Sequence, residues 1–244
     1  MKLRADLHTH TLASGHAYST VGEMARSAAA KGLDLIAITD HAPALPQTCG
    51  WMHFANLHTL PREVCGVTVL RGAELNVLNL EGETDLPERV LKRLDWVIAS
   101  LHEHVLPSRP KTDYTPVYLA LAEDPFVDMM GHPESPDYPF DVDRVLPLWA
   151  ERGKVVEFNE AHIFTGSQEN RRNALRLAEA CARWGVTVAV DSDAHSEWDV
   201  GRTSRAAEML AEMGFPEELV LNLSAERVLD FLQRRTRRAV CDPS

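Results

Sequence analysis

No apolar run in this 244-residue chain approaches the roughly 20 residues that a membrane-crossing helix needs. Residues 1–6, MKLRAD, lack the apolar centre of a signal peptide, so the sequence reads as cytoplasmic, with no membrane partner. The four cysteines, Cys49, Cys65, Cys181 and Cys241, are scattered and form no CxxC pair, which excludes a thiolate knuckle and a disulfide framework. Positive charge is scarce. The net charge of −11 counts against a long nucleic acid as partner, because phosphate backbones are bound by clustered Lys and Arg. The one basic run, Arg234, Arg235, Arg237 and Arg238, suits the solvated end of a helix. There is no glycine-rich phosphate cradle and no GxSxG nucleophile turn.

What is present is an alternation. Short apolar, β-branched runs at 3–7, 33–39, 67–71, 96–100, 126–130, 154–158 and 186–190 are separated by helical patterns at 86–94, 116–122, 142–151, 170–184, 205–213 and 225–235. Thr20 and Glu23 form a capping box ahead of a further helix that Gly32 can close, and Ser224 caps the last one. Hydrophobic content of 45% allows a substantial core. The pattern predicts an α/β fold with a parallel sheet, a distorted (β/α)7 barrel ahead of a doubly wound open sheet, in one domain over residues 1–244. Residues 43–61 read as a long irregular loop over one barrel face.

The chemistry collects at the ends of the predicted strands. The first ends in His8-Thr9-His10, the second in Asp40-His41, the third in Glu74, the fourth in His102, the fifth in His132, the sixth in Asn159 and the seventh in Asp193-Ala194-His195. In parallel α/β folds the C-terminal edge of the strands carries the site. Residues two apart in an extended segment face the same way, so His8 and His10, like Asp193 and His195, converge. With His16 these make seven histidines and two carboxylates. One tetrahedral ion takes about four such ligands. Nine donors are too many for one ion and suit two or three. Imidazole and carboxylate without thiolate suit zinc, manganese or iron. Asp6, Asp40 and Asn159 are candidates for orienting the imidazoles, or for bonding local backbone instead. His53, His58, His104 and His162 lie on loops beside the strand ends, as substrate contacts or exposed residues.

These motifs resemble the PHP superfamily, named for polymerase and histidinol phosphatase. DLHTHT, ITDH, RGAELN, VVEFN and DSDAH carry the resemblance, with His102 and His132. HAYST, ITDHAP, WMHFAN, LHE and GHP are similar to the YcdX-type phosphatase branch, and the likeness runs nearly the whole chain. The resemblance implies a distorted (β/α)7 barrel with a trinuclear centre at its C-terminal face. By motif, His8, His10, Glu74 and Asp193 would hold the first ion. His16, His41 and His195 would hold the second. Glu74, His102 and His132 would hold the third, with Glu74 bridging. His104 and residues 158–164, with Glu160 and His162, depart from the small polar residues expected there, which bears on substrate preference.

Closely spaced divalent ions suit a phosphoryl dianion and acidify the attacking water, so no protein nucleophile is needed. The expected function is metal-dependent hydrolysis of small phosphomonoesters, by a chain free to form a homo-oligomer. A phosphodiesterase or exonuclease, a histidinol phosphatase and a non-catalytic metal-binding protein are the alternatives.

Overall fold

The computed structural model describes the backbone of residues 1–241 and the side chains through Arg235. Arg237, Arg238 and Cys241 of the sequence reading therefore lie outside the described side chains. In chain order the elements are β1 (Ala5–Asp6), α1 (Val21–Ala30), β2 (Leu35–Ile38), α2 (Trp51–Asn56), β3 (Glu63–Val64), β4 (Val67–Asn76), α3 (Glu88–Leu91), β5 (Trp96–Ser100), α4 (Thr115–Glu123), β6 (Met129–Met130), α5 (Val142–Arg152), β7 (Val155–Asn159), α6 (Glu160–Thr165), α7 (Gln168–Trp184), β8 (Thr187–Asp191), α8 (Ser204–Glu212) and α9 (Ala225–Cys241).

Seven strands run parallel in the order β1, β2, β4, β5, β6, β7, β8, and β3 adds an antiparallel edge to β4. The order follows the chain, as expected of a barrel. β4 changes partner midway: Thr68 to Arg71 pair with β2, and Gly72 to Asn76 pair with β5. Gly72 makes the switch feasible, since a Cβ there would lie 2.7 Å from the Trp96 carbonyl and 2.9 Å from Thr39 Cγ2. The barrel closes between β1 and β8 through a parallel bridge, Thr9 to Ala194, and a side-chain plug. The Asn222 amide donates to the carbonyls of Ala5 (3.1 Å) and Val190 (2.7 Å), and its oxygen accepts Val190 N–H (3.1 Å). One side chain thus satisfies strand edges that lack a neighbouring strand.

The lumen holds Leu7, Leu35, Leu70, Trp96, Ile98, Met129 and Val155, packed with Val228 of α9. Phe231 of the same helix meets Trp96 at 5.8 Å between ring centroids. Helix α9 therefore floors the end of the barrel opposite the C-terminal ends of the strands. The capping box is formed: Glu23 N–H donates to Thr20 Oγ1 (3.3 Å), and Thr20 N–H to Glu23 Oε2 (2.7 Å). Arg227 N–H donates to the predicted cap, Ser224 (3.3 Å).

Four expectations are corrected. Residues 43–61 are not irregular throughout: they contain α2 and a following 3₁₀ turn, because Trp51, Phe54 and Leu57 fall at helical spacing with Phe54 and Leu57 buried. Residues 86–94 form a single helical turn, since Pro87 fixes its start. The third strand runs five residues further than predicted, so Glu74 lies inside β4 rather than beyond it. The helical turn α6 was not anticipated; Asn159 caps it, accepting His162 N–H at 3.0 Å.

Candidate metal centre

The exit from β1 is held straight by Thr9, whose hydroxyl donates to the Ala37 carbonyl (2.7 Å) and whose N–H donates to Thr39 Oγ1 (3.0 Å). His8 and His10 therefore leave the same face, with ring centroids 5.0 Å apart. His132 and Asp193 sit at φ +31° and +55°, left-handed values that non-glycine residues adopt at a cost. Both follow strand ends where the backbone turns sharply inward.

All nine predicted ligand side chains gather around one point, with Glu74 at its centre. Glu74 Oε1 lies 3.1 Å from His132 Nε2, 3.3 Å from His102 Nε2 and 3.4 Å from His8 Nε2. Glu74 Oε2 lies 2.5 Å from His41 Nδ1 and 3.7 Å from His10 Nε2. Asp193 Oδ1 is 3.1 Å from His10 Nε2 and 3.6 Å from both His8 Nε2 and His195 Nδ1. His16 completes the set, its Nε2 3.0 Å from His195 Nε2. Three overlapping triads have donor atoms within 4.8 Å of one another: His8, His10 and Asp193; His10, His41 and His195; His41, Glu74 and His102.

The surrounding hydrogen bonds fix which imidazole nitrogen faces inward. His8 Nδ1 is 2.7 Å from Glu157 Oε1, an acceptor, so the proton sits on Nδ1. Ser14 donates its hydroxyl proton to Asp40 (2.7 Å), leaving its oxygen to accept from His10 Nδ1 (3.1 Å). Asn76 spends its amide on the Ala42 carbonyl and Asp85, so its oxygen faces His102 Nδ1 at 2.7 Å. His195 Nδ1 faces the Asp193 carbonyl at 2.9 Å. Four rings thus turn the same nitrogen, Nε2, inward, those of His8, His10 and His102 toward Glu74 and that of His195 toward His16. Holding a histidine by its other nitrogen is how proteins prepare a metal ligand.

Asp40 and Asn159, two predicted orienting residues, both reach the cluster. Asp40 also accepts Thr11 N–H (2.6 Å) and the Thr11 hydroxyl (2.8 Å), and Asn159 Nδ2 donates to Asp193 Oδ2 (3.2 Å). Asp6 instead binds the Ser192 backbone and hydroxyl and Gly201 N–H, holding the exit from β8. Glu157, Asn76 and Ser14 were missed. A glutamate inside the otherwise apolar run VVEF was the one available signal.

The field inside the cluster favours positive charge. Burial raises the carboxyls of Glu74 and Asp193, yet neighbouring histidines outweigh it and hold both well below the usual carboxylate range. Burial also works against charge on His8, but Glu157, Glu74 and Asp193 lift it well above the ordinary imidazole range. His132 is likewise lifted to about 9 against burial, chiefly by Glu74, whereas burial and His41 drop His10 to about 3. His8 Nε2, His10 Nε2, His41 Nδ1, Glu74 Oε2 and Asp193 Oδ1 are buried and crowd one another without a hydrogen bond of good geometry. Buried polar atoms of this kind are costly unless something compensates them. Imidazole nitrogens and carboxylate oxygens converging in a field that favours positive charge fit divalent cations.

The remaining histidines divide. His53 Nε2 stands 3.3 Å from Asp40 Oδ2, behind the cluster. His162 stacks on His132, with centroids 4.2 Å apart and planes 11° from parallel. His58 and His104 are exposed away from it. Arg71, on β4, donates to the Leu60 carbonyl.

The profile of the PHP domain matches residues 6–138. The chain belongs to the PHP family. Relatives spanning nearly the whole length bear the same kind of name. A probable phosphatase of Caldanaerobacter subterraneus is 45% identical over 98% of this chain and 95% of its own. One of Photobacterium profundum is 39% identical over 99% and 98%. Among solved structures, a histidinol phosphate phosphatase of Lactococcus lactis, complexed with zinc, L-histidinol and phosphate, shares the fold at a TM-score of 0.59. It is 17% identical and covers 88% of this chain and 95% of that one. An archaeal ribonuclease P assembly with mature tRNA contains a chain of the same fold, with a TM-score of 0.60 and 12% identity over 98% of this chain and 94% of that one. Among the described residues, no helix is long and apolar enough to cross a membrane.

Proposed function

We propose that this PHP protein is a metal-dependent phosphatase that hydrolyses small phosphomonoesters. The observation that carries the reading is the common orientation of His8, His10 and His102, each with Nε2 turned within 3.7 Å of Glu74, a buried carboxylate held ionised. Relatives named probable phosphatases at 39–45% identity support the reaction class.

His8, His10, His16, His41, Glu74, His102, His132, Asp193 and His195 are the proposed ligands of three divalent ions, zinc foremost, with manganese or iron suited to the same donors. When bound, such ions neutralise phosphoryl oxygens and lower the pKa of the attacking water. The chain's own contribution is orientation and charge. Glu74 reaches both halves of the cluster through its two oxygens. Glu157 and Asp40 hold imidazoles from behind, so that little reorganisation is needed when charge develops. The positive field of bound ions also reconciles an acidic chain with an anionic substrate. We place this activity in one domain over residues 1–244, with a small phosphorylated molecule as partner.

Phosphate release from p-nitrophenyl phosphate tests the reading. Turnover should vanish on chelation, return with zinc or manganese, and be absent from Asp193→Ala. A fully metallated protein that releases no phosphate contradicts it.

A further inference from the structure

The turn α6 carries a feature that the proposed reaction does not use. It holds most of residues 158–164, where this chain departs from the branch it resembles, and near its end two arginines meet Phe164. Arg205 Cζ lies 3.9 Å from the ring centroid and Arg171 Cζ 5.5 Å, both within cation–π range. The two come from the first turns of α8 and α7. Nearby arginines pair with acids: Arg172 with Glu169 at 3.7 Å, and Arg202 with Asp199 at 3.1 Å. Arg171 and Arg205 are exposed, and among the described residues neither guanidinium donates a hydrogen bond or meets a carboxylate. A guanidinium laid on an aromatic face keeps its in-plane N–H edge free, and that edge is the one that grips carboxylate or phosphate. In a chain of net charge −11, two such cations at one ring make a local site for an anion.

The ring is also fixed relative to the metal centre. Glu160, one turn before Phe164 on the same face of α6, is buried and accepts Ala206 N–H at 2.7 Å, which locks α6 to α8. Asn159, the cap of α6, donates to the proposed ligand Asp193 at 3.2 Å. From Asn159 to Phe164 the turn rises only about 8 Å.

We propose that Arg171 and Arg205, braced on Phe164, bind a second oxyanion of the substrate, a carboxylate or phosphate at the end remote from the phosphoryl group at the centre. The inference rests on the phosphatase reading and adds a substrate class to it: small phosphomonoesters that carry another negative group. Complementary charge at the rim then selects among esters that the centre alone would treat alike.

Two pairs of compounds test it. 6-Phosphogluconate differs from sorbitol 6-phosphate only by a terminal carboxylate, and fructose 1,6-bisphosphate differs from fructose 6-phosphate only by a second phosphate. In the zinc-loaded enzyme, kcat/KM should favour the doubly anionic member of at least one pair by about tenfold, the scale of one hydrogen bond to a charged group. The pair that shows the preference identifies the anion. Binding of the corresponding phosphonates, which cannot turn over, should show the same ratio by calorimetry. Both ratios should fall to about one when Arg171→Gln and Arg205→Gln are combined. The combined Arg171→Lys and Arg205→Lys variant should retain part of the preference, because charge remains while the fork is lost. Native ratios near one in both pairs, or ratios that survive the double glutamine variant, would overturn the site. A native enzyme that hydrolyses no ester, while the phosphonate preference appears and vanishes with the two arginines, would defeat the phosphatase reading and leave the anion site standing.

Discussion

His8 Nδ1 and Glu157 Oε1 lie 2.7 Å apart, and both side chains are fully buried. The other oxygen of Glu157 accepts His132 N–H at 2.7 Å, so one carboxylate sets two strand ends. Removing such a support costs about 10–100-fold in metal affinity. Zinc affinity measured by chelator competition should fall in the order native, Glu157→Gln, Glu157→Ala, because glutamine keeps an acceptor and alanine keeps none. Equal affinities would show that Glu157 does not hold the ligand ring.

Glu74 and His16 occupy opposite extremes of the cluster. Glu74 is buried and within 3.7 Å of five histidines, whereas His16 is exposed and meets His195 at the edge. Glu74→Ala should lose more than one bound ion per chain and lower kcat by at least about 100-fold, on the scale of a lost electrostatic stabiliser. His16→Ala should lose at most one. Metal analysis of the purified variants decides between this ranking and its reverse.

Acid should strip stability through Asp40. Burial raises its pKa, but His53, His10, Thr11 and Ser14 outweigh burial and pull it down to about 2. A depressed folded pKa gives stability that is present above the unfolded value of about 3.9 and is lost as pH falls toward 2. The contribution at neutral pH is about 2 kcal/mol. Asp40→Asn should lower the denaturation midpoint at pH 7 and flatten the pH dependence of stability between about 4 and 2. An unchanged slope in that window would remove Asp40 from the account.

Gly131 leaves no room for a side chain. A Cβ there would fall 2.0 Å from Ser100 Oγ and 2.9 Å from Ile98 Cγ2, immediately before His132. Gly131→Ala should cost about 1–3 kcal/mol by overpacking and reduce activity by displacing His132. Adding Ser100→Ala should restore part of both losses. Thermal melts and p-nitrophenyl phosphate assays of the single and double variants give the coupling, and strict additivity would contradict the clash.

Much of this arrangement was legible because its signals are local. His8-Thr9-His10 and Asp193-Ala194-His195 repeat every second residue, a period that survives any strand packing. The parallel barrel followed from apolar runs alternating with capped helices. Other features depend on long-range partners. Glu74 was placed beyond its strand because nothing in RGAELN announces that Gly72 passes the strand from β2 to β5. Glu157, Ser14 and Asn76 act on histidines 149, 4 and 26 residues away, and two of those separations leave no periodic trace. The Asn222 plug depends on a seam that exists only once the barrel has curved.

The central claim is that this ligand ring holds several divalent ions and that those ions drive phosphate release. The most direct measurement titrates zinc into chelator-stripped protein while counting bound metal per chain and recording p-nitrophenyl phosphate turnover. The account predicts that turnover appears as binding passes beyond one equivalent and levels off near three. Saturation at one equivalent or fewer, or full loading without phosphate release, would contradict it.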